Sequence, residues 1–210
     1  MPASLNIACL VSGSGTNLQA IIDRIESGAL DARIVAVISN VPGAGALERA
    51  QKHGIPWFVV NNKDYPSREL FDRELAAIID RQQARLICLC GFLRIFSPFI
   101  IDRYPDRIIN IHPALLPSFG GKGFYGHKVH DAVLAAGVKT SGCTVHFVDG
   151  EVDHGPIVLQ RIVPVLPGDT AETLAARVLE QEHLAYPDAI QLFAQGRVGI
   201  INGQAVIRPV

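Results

Sequence analysis

The chain has 210 residues, 49% apolar and 19% charged, with a net charge of −1, which suits one globular domain with a sizeable core. No basic block gives nucleic acid or a membrane surface an electrostatic foothold, and no run reaches the roughly 18 apolar residues of a membrane-spanning helix. The opening MPASLNIACLVSGSG has neither the positive start nor the apolar stretch of a secretory leader, so a cytoplasmic location is expected.

LNIACLV (5–11) predicts a buried strand. After SGSG, the residues Leu18, Ile21, Ile22 and Ile25 recur at helical spacing, and Gly28 closes that helix. RIVAVI (33–38) predicts a strand, GALERAQKHG (45–54) a helix and PWFVV (56–60) a strand. The next helix spans 67–83, with Ser67 as N-cap and Leu70, Phe71, Leu75, Ile78 and Ile79 inward. RLICLC (85–90) is a strand, SPFIIDRY (97–104) a short helix capped by Ser97, and RIINI (107–111) a further strand.

Beyond these, GHKVHDAVLAAG (126–137) is helical. CTVHFV (143–148) and PIVLQRIVPV (156–165) are strands separated by seven residues, which predicts an antiparallel pair. Residues 170–196 form a long helix expected to kink or break before Pro187, and Asn202-Gly203 marks a closing hairpin. The four cysteines fall in or beside strands. Cys88 and Cys90 are expected on alternating faces, a poor metal geometry, so all four are read as buried free thiols and no metal is expected.

The alternation of strands and helices predicts an α/β fold: a Rossmann-like, open, mostly parallel sheet with helices on both faces and an antiparallel C-terminal part. One domain, 1–210, is expected. Its two halves are expected at about 1–100 and about 85–196, with a hairpin at about 197–210.

Three stretches carry chemistry. SGSGTN (12–17) joins a strand to a helix start, where glycines and free amides favour an anion; its spacing fits neither the dinucleotide fingerprint nor the P-loop, and a plain tight turn remains the alternative. Asn110 and His112 end a parallel strand, at the sheet edge where ligands bind in open α/β folds. They can hydrogen-bond an oxyanion, and the imidazole can move protons; strand-end capping and packing are the plainer roles. DGEVDHGP (149–156) supplies Asp149, Glu151, Asp153 and His154, and a carboxylate beside His112 would favour imidazolium. No G-x-S-x-G elbow or cysteine nucleophile setting is present. Polar stabilisers without a protein nucleophile point to direct transfer between two bound small molecules.

The segments Ser12 to Leu18, Gly91-Phe92-Leu93-Arg94-Ile95, Asn110 to Pro117, Val145-His146-Phe147-Val148 and Asp153-x-Gly155-Pro156 together resemble the phosphoribosylglycinamide formyltransferases. The resemblance runs from about residue 5 to about 196, and it implies that the half at about 1–100 binds the phosphate and the half at about 85–196 holds the folate and the catalytic groups. It implies formyl transfer from 10-formyltetrahydrofolate, the co-substrate, to the amine of glycinamide ribonucleotide in purine synthesis, with no metal, in a monomer or homodimer. By the same resemblance Gly15, Thr16, Asn17 and Glu182 hold the ribonucleotide. Arg68, Leu93, Arg94, Ile95, Phe96, Asn110, Asp149, Val152 and Asp153 contact the folate, and Asn110, His112 and Asp153 are catalytic. The glycine-rich GGKGFYG is then a flap over the site, and His146 has a structural role beneath the trio. Leu179, one turn before Glu182, and His154, directly after Asp153, depart from the family pattern.

Two related activities are weighed. A formyltetrahydrofolate hydrolase carries an added N-terminal domain, for which a first strand at residue 5 leaves no room. A methionyl-tRNA formyltransferase needs a C-terminal domain and a basic surface. A non-catalytic folate or nucleotide module is the alternative of another class, and the presence of Asn110, His112 and Asp153 weighs against it.

Overall fold

The structure, a computed structural model, describes residues 4–209. Residues 1–3 and 210, the extremities of the expected 1–210 unit and of its 197–210 hairpin, lie outside the described residues.

Seven strands form one sheet: β1 (Leu5–Val11), β2 (Ala32–Ser39), β3 (Trp57–Val59), β4 (Leu86–Leu89), β5 (Ile108–His112), β6 (Thr140–Phe147) and β7 (Ile157–Pro164). Their order is β3-β2-β1-β4-β5-β6-β7. The first five are parallel, and β6 is antiparallel to both β5 and β7. The order reverses at β1, so the crevice between the carboxyl ends of β1 and β4 is the topological switch point.

Helices α1 (Thr16–Glu26), α2 (Gly45–Lys52), α5 (His127–Ala135) and α6 (Ala171–Ala194) cover one face. Their apolar stripes join Ile7, Cys9, Ile109 and Val145 in one core cluster. Helices α3 (Arg68–Arg81) and α4 (Pro98–Arg103) cover the other, around Ala8, Leu10, Ile87 and Ile108. On that second face no helix contributes to the cluster beside β6 and β7. The polar residues at the end of β5 and on β6 occupy this gap.

The C-terminal hairpin, β8 (Val198–Ile201) and β9 (Gln204–Ile207), turns at Asn202 and Gly203 with φ of 51° and 75°, the left-handed pair a two-residue hairpin turn requires. Among the described residues no helix is long and apolar enough to cross a membrane.

Several local expectations are corrected. The long helix runs unbroken through Pro187. Its turn is held by tertiary contacts: Tyr186 is fully buried and donates to the carbonyls of Leu89 at 3.0 Å and Ile109 at 3.1 Å, which outweighs the backbone bond that proline removes. Leu70, expected inward, is 47% exposed while its neighbour Phe71 is buried, because at about 100° per residue it falls on the far side of α3 from the Phe71, Leu75, Ile78 and Ile79 stripe. Ser97 precedes α4 without capping it; its hydroxyl donates instead to buried Asp72. Cys9, Cys88 and Cys90 share one core face, since positions two apart in a strand point the same way. All four cysteines are buried and free.

Candidate active site

The SGSG turn is shaped by its neighbours. Ser12 N–H donates to Gly91 O at 3.2 Å, and Ser12 Oγ accepts from Leu93 N–H at 2.9 Å, which ties the loops after β1 and β4 together across the switch point. Gly15 precedes α1 with φ 74° and no side-chain cap. A Cβ there would lie 2.6 Å from the Ala46 Cβ, so only glycine lets α2 close on the loop. Among the described residues the amides of Ser14, Gly15, Thr16 and Asn17 have no hydrogen-bond partner. An uncapped helix start with converging free amides is an anion site in form.

Asn17 and Glu182 meet behind this turn, Asn17 Nδ2 donating to Glu182 Oε2 at 2.7 Å. Both are buried, and Asn17 Oδ1 has no partner among the described residues. Burial pushes the Glu182 carboxyl above its ordinary value, and the Asn17 bond opposes that.

The second centre follows from strand pairing. Residues 108, 110 and 112 share one face of β5, and Asn110 and His112 lie opposite His146 and Thr144 on β6. Of these cross-strand neighbours, Asn110 and His146 are in contact. Asn110 Nδ2 lies 3.2 Å from His146 Nε2, while His146 Nδ1 lies 2.7 Å from the Phe147 carbonyl. A carbonyl only accepts, so Nδ1 carries the proton and Nε2 accepts from Asn110. Burial lowers the His146 pKa, which fits this neutral form. Thr144 Oγ1 donates to Ala114 O at 2.6 Å and accepts from Leu116 N–H at 3.0 Å, fixing the chain as it leaves β5.

His112 is buried at 4% exposure. Its Nε2 donates to Phe119 O at 2.8 Å, and its Nδ1 stands 3.4 Å from Asp153 Oδ2. Phe119 and Asp153 both adopt left-handed φ, 57° and 56°. Asp153 Oδ2 also accepts from Gly121 N–H at 2.9 Å. The glycine-rich segment thus holds both members of the pair through its backbone. Asp153 Oδ1 stands 3.8 Å from His146 Nε2, beyond hydrogen-bond reach. A cleft of about 230 Å³ opens here between Leu116, Gly120 and Gly121 on one side and Val152, Asp153 and Ile157 on the other.

Of the remaining expected positions, Val152 lines this cleft. Leu93, Ile95 and Val152 are exposed apolar side chains, and Arg68 and Arg94 are exposed as well. Phe96 is buried against Phe92, ring centroids 5.7 Å apart, so only its backbone can meet a ligand. Asp149 accepts from Glu151 N–H and pairs with His154 at 2.9 Å, which raises the His154 pKa and turns that imidazole toward Asp149. Among the described residues no group of three or more His, Cys, Asp or Glu side chains could hold a metal ion.

Sequence reasoning did not find the Phe119 carbonyl, Thr144 or Tyr186. The first is a backbone group, and the other two act through contacts made only in the folded chain. The Thr144 role was open to a pairing of β5 with β6, since it is the cross-strand neighbour of His112.

A parallel sheet with an anion cradle after its first strand, and an amide, an imidazole and a carboxylate converging at its fifth, defines a group-transfer site at a switch point. Residues 5–190 match the family described as formyl transferase, and the chain belongs to that family. It is 42% identical over 92% of its length, and 89% of the relative's, to the phosphoribosylglycinamide formyltransferase of Escherichia coli K12. It is 47% identical to the trifunctional purine biosynthetic protein adenosine-3 of Gallus gallus, aligning over 93% of this chain but only 19% of that protein. A crystal structure of glycinamide ribonucleotide transformylase 1 from Symbiobacterium toebii superposes with a TM-score of 0.94 at 44% identity, covering 100% of this chain and 96% of the other.

Proposed function

We infer that the protein transfers the formyl group of 10-formyltetrahydrofolate to the amine of glycinamide ribonucleotide, a step of purine biosynthesis. The observation that carries this reading is the spacing of two centres. Leu10, Leu89 and Asn110 lie in lateral register on β1, β4 and β5. At about 4.8 Å per strand, Asn110 is about 10 Å from the end of β1. The anion turn that follows β1 and Asn110 near the end of β5 thus open on the same crevice, as a substrate with a phosphate at one end and an amine at the other requires.

In this reading Glu182 and the unpartnered Asn17 Oδ1 accept hydrogen bonds from the ribonucleotide's hydroxyl and amide groups. The exposed Leu93, Ile95 and Val152 flank the folate ring system with the backbones of Phe96 and Asp149. Arg68 and Arg94 attract its carboxylates.

The amine nitrogen attacks the formyl carbon, and the carbonyl oxygen becomes an oxyanion. The second Nδ2 hydrogen of Asn110 and the Nδ1 hydrogen of protonated His112 stabilise it. Asp153 balances the imidazolium and takes up the amine proton, directly or through a water. Collapse of the intermediate breaks the bond to N10 of the folate, which leaves with the proton that Asp153 took from the amine, restoring the carboxylate. The products are formylglycinamide ribonucleotide and tetrahydrofolate, and no protein nucleophile is needed.

The test mixes purified protein with both substrates and follows the folate by absorbance, with a control lacking the ribonucleotide. Folate turnover that depends on the ribonucleotide is expected. Equal turnover without it would make the protein a hydrolase and remove the phosphate role from the SGSG turn.

A further inference from the structure

Gly13 and Ser14 both turn their carbonyls toward α2. Ala46 N–H donates to Gly13 O at 3.1 Å, and Arg49 Nε–H donates to Ser14 O at 2.8 Å. Each peptide is planar and trans, so the N–H groups sharing those peptides, on Ser14 and Gly15, point the opposite way. The free amides of the turn therefore owe their direction to α2.

Arg49 also donates from Nη1 to Gln19 Oε1 at 3.0 Å, which braces the guanidinium against α1. It shares with Thr16, Gln19, Asp23, Arg24 and His183 the wall of a cleft of about 470 Å³. The other cations there are less available. Arg24 is paired with Asp188, and burial lowers the His183 pKa. His183 does bring a buried Nε2 with no partner among the described residues. On α6, Leu179 offers no polar group one turn before Glu182. The guanidinium that both touches the loop and lines the cleft is that of Arg49.

We propose that Arg49 is a specificity-determining residue for the phosphate-bearing substrate. It holds the Ser14 peptide so that the Gly15 amide faces the phosphate, and its charge favours the dianion over an uncharged analogue. The inference rests on the function proposed above and deepens it.

Steady-state kinetics of wild type, Arg49→Ala and Arg49→Lys would be measured on glycinamide ribonucleotide and on its dephosphorylated riboside, at fixed 10-formyltetrahydrofolate. Binding of ribose 5-phosphate by calorimetry gives a readout independent of turnover. Arg49→Ala is expected to raise KM for the ribonucleotide about tenfold or more, with kcat and the folate KM holding. The ratio of kcat/KM values, ribonucleotide over riboside, falls by about the same factor. Ribose 5-phosphate binding weakens in parallel, and Arg49→Lys, which keeps charge without the planar fork, falls between.

Equal penalties on the two substrates, or an undiminished preference for the ribonucleotide in Arg49→Ala, would overturn the proposal. If wild type itself shows no preference for the ribonucleotide, the function reading fails first. Thermal unfolding of each variant accompanies the kinetics; should the alanine variant not fold, the lysine variant's substrate ratio decides.

Discussion

Asn110 can help an oxyanion only if its amide nitrogen, and not its oxygen, faces the reacting carbon. His146 settles this, because its Nε2 accepts from Asn110 Nδ2 while Nδ1 is committed to a backbone carbonyl. Protonating His146 would set a second donor against the amide and turn it around. Its pKa, lowered chiefly by burial, favours the neutral form, so the bond is lost only as pH falls below the ordinary imidazole value. We expect His146→Ala to lower kcat about tenfold, the worth of roughly one hydrogen bond, with both KM values held. His146→Gln, which restores an acceptor, should recover part of the loss. A fall in KM-dependent terms alone, with kcat intact, would mean that His146 does not orient Asn110. The sequence marked Asn110 and His112 by their place at a strand end; the tautomer of His146 depends on a bond seen only once the strands pair.

At the scale of elements, the site stands on two rigid joints. One is the contact of α2 with the SGSG turn. Replacing Gly15 by alanine forces a left-handed residue to carry a Cβ 2.6 Å from Ala46. Stability should drop by about 1–3 kcal/mol, read as a lower urea midpoint at unchanged slope, and ribonucleotide affinity should fall with it. The other joint is Tyr186, whose hydroxyl bridges the carbonyls of Leu89, ending β4, and Ile109, early in β5. Tyr186→Phe leaves two buried acceptors short and should cost about 1–3 kcal/mol in the same measurement. Most elements were legible from apolar periodicity, and the hairpin from Asn202-Gly203. Pro187 misled because local propensity says nothing of the contacts that hold a buried turn helical. Leu70 misled because, of two adjacent apolar residues, only Phe71 lies on the stripe that faces the core.

For the whole molecule, pH acts through groups buried in the state they prefer less. His130, His146 and His183 all have pKa values lowered from 6.5, each chiefly by burial. The unfolded chain therefore takes up protons near 6.5 while the folded chain resists, and stability present above that value is lost as pH falls. Asp72 and Glu182, raised chiefly by burial, and the exposed His154, raised by Asp149, act in the opposite sense, since there the folded chain protonates first. The thermal midpoint should fall between about pH 7.5 and about pH 5.5, and a rise across that interval would contradict this assignment. The fold and the sheet edge bearing the site were legible because strand order, apolar runs and polar strand ends are written locally. The link between Phe119 and His112 was not, since it joins a backbone group to a side chain through left-handed conformations that no composition signals.

In the proposed mechanism one oxyanion site, built by Asn110 and His112 and served by Asp153, performs the transfer. The most direct measurement is kcat and both KM values for His112→Ala and Asp153→Asn beside wild type, in the ribonucleotide-dependent assay. Loss of one oxyanion donor should lower kcat on the order of 10²- to 10³-fold for His112→Ala, with Asp153→Asn also impaired and both substrates still bound. Turnover within a few-fold of wild type in His112→Ala would contradict the account and move the chemistry elsewhere.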